Sequence, residues 1–165
     1  MSTRKAAAII AAVLFLLSGV STLERHGNAY QSAISETKII KFSNIEISRG
    51  NYASISCNGC SSTYKASYPI MPYKSETLAF PFGTKIEGID VESGNIQTIH
   101  LDKKIAPAPE PLPLNMKNVK AEVKEGGIYE SNEPYPSNWF TYNIGAGIQN
   151  GEHAIFLSIH AFPAR

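Results

Sequence analysis

Past its first 21 residues the chain nowhere combines an N-cap, an apolar stripe of about eleven residues free of Pro and Gly, and a C-cap, the three things a stable amphipathic helix needs. Instead, 10 Pro and 12 Gly punctuate the sequence, and between these breakers apolar and polar residues tend to alternate. Lys38 to Phe42, Asn44 to Ser48, Tyr52 to Cys57, Thr77 to Phe80, Thr84 to Glu92, Ile96 to Leu101, Val119 to Lys124, Trp139 to Ile144 and Ala154 to Phe162 each read as a short strand. Turns fall at Arg49-Gly50-Asn51, Pro81-Phe82-Gly83, Gly94-Asn95 and Gly126-Gly127. Short strands at turn spacings of about 8 to 12 residues predict an all-β chain, an antiparallel β-sandwich of jelly-roll type or a barrel. The cleanest alternation is Val119 to Lys124, with Val, Ala, Val on one face and Lys, Glu, Lys on the other. In the last run, Ile155, Leu157 and Ile159 share one face, and Phe156, Ser158 and His160 the other.

The N-terminus follows a different rule. Arg4 and Lys5 precede an unbroken apolar run from Ala6 to Leu17, extended by Ser18, Gly19 and Val20, before the polar Ser21 to His26. A basic start and an apolar stretch of about 12 to 15 residues are the marks of a secretory signal, whereas a spanning helix needs about 20 apolar residues. Gly19 and Ser21 allow cleavage after Ser21, and Gly27 and Ala29 allow a later cut after Ala29. The expected organisation is a signal-peptide helix over 1–21, a linker over 22–37 and a β-sandwich over 38–165, the last exported from the cytoplasm.

Charge narrows the partner classes. With Lys+Arg 15, Asp+Glu 14 and a net charge of +1, the chain lacks the imbalance that nucleic acid or an anionic membrane surface demands, so no nucleic acid is expected to bind. The two cysteines, Cys57 and Cys60, flank Asn58-Gly59, and in an oxidising compartment they read as one short disulfide across a turn. A redox Cys-x-x-Cys would instead open a helix in a βαβ unit, and a zinc site would need two more ligands. His26, His100, His153 and His160 form no metal-binding spacing, and Asp90 with Glu92 reads as a solvated strand face. Gly145, Gly147 and Gly151 lead into a strand rather than a helix N-terminus, which excludes a phosphate loop. Neither a metal, a cofactor nor a catalytic residue is expected.

Ile105-Ala106-Pro107-Ala108-Pro109-Glu110-Pro111-Leu112-Pro113-Leu114 breaks the strand pattern. Alternate prolines cannot donate ladder hydrogen bonds, so the segment is expected as a stiff, extended crossover along the surface between two sheets, the alternative being a ligand for an aromatic-lined groove.

Several blocks, taken in order, resemble the propeptide domain of gingipain-type secreted cysteine peptidases. They are Tyr68-Pro69-Ile70-Met71-Pro72, then Thr77 to Val91 with its Pro81-Phe82-Gly83 turn, then Ile105 to Pro109. The block Tyr135-Pro136-Ser137-Asn138-Trp139-Phe140 with Gly145-Ala146-Gly147 follows, and Phe156 to Pro163 closes the set. The resemblance covers residues ~38 to 165 and implies a β-rich module that assists folding of a gingipain-like cysteine peptidase catalytic domain and keeps it latent by laying a loop into its cleft. It implies no catalytic residue in this chain. Two features depart from the pattern: the sequence stops at Ala164-Arg165, inside the last strand motif, where relatives run on into further strands and the peptidase, and Cys57 and Cys60 match no family motif.

For an Arg- or Lys-specific peptidase a basic side chain should fill the specificity pocket. The loop from Asn115 to Lys120 makes Lys117 and then Lys120 the expected inhibitory residues, ahead of Lys103 and Lys104. The alternative is a stand-alone exported β-sandwich that binds carbohydrate or a surface protein, since such folds host unrelated functions.

Overall fold

The computed structural model describes residues 6–21, 33–115 and 119–165. Nine strands account for its regular structure: β1 (Ala6–Ser21), β2 (Ala33–Ile40), β3 (Glu46–Arg49), β4 (Ala53–Ser56), β5 (Ser61–Ser62), β6 (Pro72–Pro81), β7 (Thr84–Leu101), β8 (Phe140–Gln149) and β9 (Glu152–Ala161). Among the described residues the helical content is one 3-10 turn, Gly127–Tyr129. All named strand pairs are antiparallel, in a three-stranded sheet β2-β1-β7, a β3-β4 hairpin and a four-stranded sheet β5-β6-β9-β8. The all-β, antiparallel expectation therefore holds.

The two larger sheets meet face to face around β9. Leu157, Ile159 and Ala161 are buried together with Ile40 of β2, and Leu78 and Phe80 of β6 and Ile86, Ile89 and Val91 of β7 pack against them. The opposite face of β9 carries Phe156, Ser158 and His160, as its alternation requires. At the rim Lys38 of β2 reaches Glu76 of β6 across the two sheets at 3.6 Å. A second buried cluster joins Ala53 and Ile55 of β4 to Met71, Leu101, Phe162 and Ala164.

Local chemistry sets the hairpins. Asn150 (φ 53°) and Gly151 (φ 85°) form the two-residue β8-β9 turn, in which both central residues have positive φ, the geometry that Asn-Gly adopts most readily. Gly145 and Gly147 lie inside β8 rather than in a turn. A β-carbon on Gly147 would come within 2.8 Å of the Phe156 ring, so glycine there makes room for a cross-strand aromatic.

Four expectations are corrected. Ala6–Ser21 is a strand between β2 and β7 where a helix is expected; an unbroken apolar run has no period that separates helix from strand, and hydrogen-bond partners on both sides decide the outcome. The linker assigned to 22–37 ends early, because β2 already begins at Ala33. Thr84 to Glu92 and Ile96 to Leu101 are one strand, since Gly94-Asn95 forms an irregularity opposite Ile10 and Ala12 rather than a turn. The last strand ends at Ala161, and Phe162 to Ala164 turn into the core, with the Phe162 amide donating to the Trp139 carbonyl at 2.8 Å.

Candidate functional site

The Pro-rich segment is held between two neighbours. The Ala53 amide donates to the Lys104 carbonyl and the Ala106 amide to the Ala53 carbonyl, both at 2.9 Å. On the other side the Ile70 amide donates to Ala106 at 2.9 Å, Ala108 to Tyr68 at 2.8 Å and Ser67 to Ala108 at 2.9 Å. Pro107 and Pro109 fall where no donor is needed, so the prolines select the register. Pro107 and Ala108 are buried, which corrects the expected course across the surface: short side chains let this stretch sink between β4 and the 66–70 loop.

Beyond it the chain leaves the sheets. From Glu110 to Gly126 the described residues have no regular structure, yet the base of this excursion is pinned. The Glu110 amide donates to the Glu122 carbonyl at 3.0 Å, Ser67 Oγ donates to Glu110 Oε1 at 3.2 Å, and the Gly126 amide donates to the Ser67 carbonyl at 2.8 Å. Glu125 accepts from Tyr52 Oη at 3.1 Å and from Lys104 Nζ at 2.5 Å. The returning chain makes the 3-10 turn, and Tyr129 Oη donates to the Ile105 carbonyl at 2.8 Å, tying the exit of the loop to its entrance.

Electrostatics follow these contacts. The hydrogen bond to the Glu125 carboxylate pushes the Tyr52 phenol above its ordinary range. Burial, then the Glu125 charge, pushes the Tyr129 phenol well above it. At the loop surface the Lys124–Glu122 contact of 2.8 Å holds Lys124 protonated to higher pH than usual.

The tip has a different character. Leu114 is fully exposed, and Leu112 and Val119 are exposed as well, as is Val123 nearer the base. The strand expected over Val119 to Lys124 does not form: its alternation is real, but among the described residues no neighbouring segment offers a ladder, and one backbone bond at Glu122 does not make one. Lys120 lies on the exposed part of the loop, and Lys117 lies outside the described residues. Lys103 and Lys104 are engaged at the base, the first through the Gly50 carbonyl and the second through Glu125.

The remaining candidates sit elsewhere. Cys57 and Cys60 are bonded to each other across the turn that follows β4, with Cα atoms 5.4 Å apart and Gly59 at φ 69°. His160 Nδ1 and Ser75 Oγ are 2.8 Å apart on the outer face of the four-stranded sheet, and the His153 ring packs on Phe82. His100, Asp90 and Glu92 are spread along β7, and His26 lies outside the described residues. Among the described residues no three His, Cys, Asp or Glu side chains come together as a metal-binding group.

Sequence reasoning missed Ser67, Glu110, Glu125 and Tyr129, the residues that pin the loop. Gly126-Gly127 was visible as a chain break, but Ser67 approaches Gly126 from a distant segment and nothing in its own neighbourhood signals that contact.

The pinned, exposed loop on a sandwich can be set beside known proteins. The family model Propeptide_C25, the propeptide of peptidase family C25, matches residues 20–156. The chain belongs to the peptidase C25 propeptide family. No curated protein and no solved structure matches it. Membership makes the matched residues of this C25 propeptide chain a propeptide region, which associates with a C25 peptidase catalytic domain. Among its described residues no helix is long and apolar enough to cross a membrane.

Proposed function

We propose that this C25 propeptide acts on a secreted gingipain-like cysteine peptidase as folding assistant and latency-maintaining inhibitor, and that the loop from Glu110 to Gly126 is the part laid into the catalytic cleft. The observation that carries this reading is the contrast within the loop. Its base is fastened by Ser67, Glu122, Glu125 and Gly126, while Leu112, Leu114 and Val119 are exposed beyond that base and Val123 is exposed within it. Apolar side chains cost free energy in water, so exposing four of them on one fastened loop makes sense where a partner covers them. Fastening the base also reduces the entropy lost on docking. In this reading Lys117, and next Lys120, enters the specificity pocket of a Lys- or Arg-specific enzyme.

The same reading assigns 1–21 to export, 22–37 to a linker and 38–165 to the working module. Cleavage after Ser21 would remove β1 from between β2 and β7.

The test is inhibition of a purified gingipain-type lysine-specific peptidase by the full chain, read as hydrolysis of a Lys-containing peptide. Wild type is expected to inhibit, and Lys117→Ala to weaken inhibition by roughly tenfold or more, the scale of an anchor side chain in a buried pocket. Unchanged inhibition by both Lys117→Ala and Lys120→Ala removes those residues from the role. Failure of wild type to inhibit or to promote refolding of lysine- and arginine-specific gingipain-type enzymes alike overturns the proposal.

A further inference from the structure

The outer face of the four-stranded sheet holds a shallow hollow of about 370 Å³ whose chemistry differs from that of the loop. Its apolar surfaces come from the rings of Tyr64, Tyr73, Tyr135 and Phe162, and its polar groups from Ser62, Thr63, Lys65, Thr141 and His160. The rings brace one another: Tyr73 stands edge-on to His160 with centroids 5.1 Å apart and lies 6.2 Å from Phe162, and Tyr135 packs on Tyr68 at 5.5 Å. Tyr64, which also lines the hollow, is 76% exposed, so its ring is open to a ligand.

The hollow opens onto a strip of short polar side chains. Antiparallel register places Thr141 beside His160 and Ser75, and Asn143 beside Ser158 and Thr77, all on the face opposite Leu157 and Ile159. Ser75 Oγ meets His160 Nδ1 at 2.8 Å and Thr77 Oγ1 meets Ser158 Oγ at 3.3 Å, so these groups are preset as hydrogen-bonding partners. Among the described residues no carboxylate lines the hollow, while Lys65 does, with its Nζ 3.6 Å from the Tyr68 ring centroid. Braced aromatic faces suit the C–H face of a pyranose ring, hydroxyl and amide side chains suit its hydroxyls, and a lone cation without an acid favours an anionic substituent.

We infer that this hollow is a carbohydrate-binding subsite that takes a pyranose chain bearing an anionic group. The inference stands apart from the inhibitory reading, because it uses none of the loop residues. Lys65 sets the preference for charge, and Tyr64 supplies the exposed stacking platform.

The experiment is titration of the full chain with tetragalacturonate, a sulfated heparin tetrasaccharide and uncharged cellotetraose, followed by calorimetry. One or both acidic sugars should bind saturably and more tightly than cellotetraose, and the pair distinguishes a carboxylate from a sulfate ligand. Tyr64→Ala should weaken that binding by roughly threefold to tenfold. Lys65→Gln should shrink the preference for charge by roughly twofold to fivefold, the scale of a solvent-exposed ion contact. Lys85→Gln, on β7, serves as the charge control and should change neither. Both rim residues are exposed, so their variants are expected to fold, which circular dichroism checks. No saturable binding to any of the three sugars overturns the inference, as does a preference for cellotetraose or binding that ignores both rim variants.

Discussion

Gly126 and Ser67, 59 positions apart in the chain, touch so closely that a β-carbon on Gly126 would lie 2.8 Å from the Ser67 carbonyl oxygen, the same atom that accepts the Gly126 amide at 2.8 Å. Any side chain at 126 must break the contact that closes the base of the loop. Gly126→Ala is expected to destabilise the fold by about 1–3 kcal/mol, as overpacking against backbone does. Gly127→Ala, where nothing lies within 4 Å, should stay within about 0.5 kcal/mol. Urea unfolding of both variants decides; equal effects would remove Gly126 from this role.

The Tyr129 phenol titrates higher in the folded chain than in the unfolded one, mainly through burial. The unfolded state therefore loses this proton first, near the ordinary phenol pKa of about 10, so stability from Tyr129 is intact below that pH and falls as pH rises above it. Denaturation between pH 8 and pH 11 should show a shallower decline for Tyr129→Phe than for wild type. At neutral pH the same variant should lose about 0.5–1.5 kcal/mol with its bond to Ile105. Parallel pH curves for the two proteins would contradict this.

Leu157 is fully buried where the two sheets meet, whereas Ile148 on β8 is 67% exposed. Leu157→Ala should cost about 2–5 kcal/mol, transfer and cavity terms together. Ile148→Ala should cost well under about 1 kcal/mol, because little apolar surface is lost from contact. Thermal unfolding measures both, and similar losses would mean that β8 is covered.

Among the described residues β8 has a single sheet neighbour, β9, and its ten residues include no charge and no proline. Tyr142, Ile144 and Ile148 are exposed along it. An edge without such protection pairs with other chains. Ile144→Lys should leave the melting temperature nearly unchanged and reduce concentration-dependent light scattering severalfold; unaltered scattering would place the sticky surface elsewhere.

Reduction of the bond between Cys57 and Cys60 releases a loop of only four residues, so its chain-entropy contribution is about 2 kcal/mol or less. Treatment with a mild reductant should therefore lower the melting temperature slightly and leave cooperative unfolding intact. Complete unfolding on reduction would show that the pair holds more than its own turn.

Reading along the chain suffices for its all-β, antiparallel character, for the hairpin turns at residues 49–51 and 81–83, and for which residues share each face of β9. Those properties are local, since Pro81-Phe82-Gly83 and Arg49-Gly50-Asn51 limit the backbone at the turn itself, and a period of two sorts Leu157 and Ile159 from Ser158 and His160 whatever lies opposite. Only the tertiary structure decided whether an alternating run becomes a strand, because a ladder needs a hydrogen-bonding neighbour that the run does not carry. Val119 to Lys124 alternates well and finds none, while Gly94-Asn95 has the composition of a turn and is held extended beside β1. The candidate loop falls on the same divide: its lysines and prolines could be read along the chain, but Ser67, Glu125 and Tyr129 became its anchors only when distant segments folded against it.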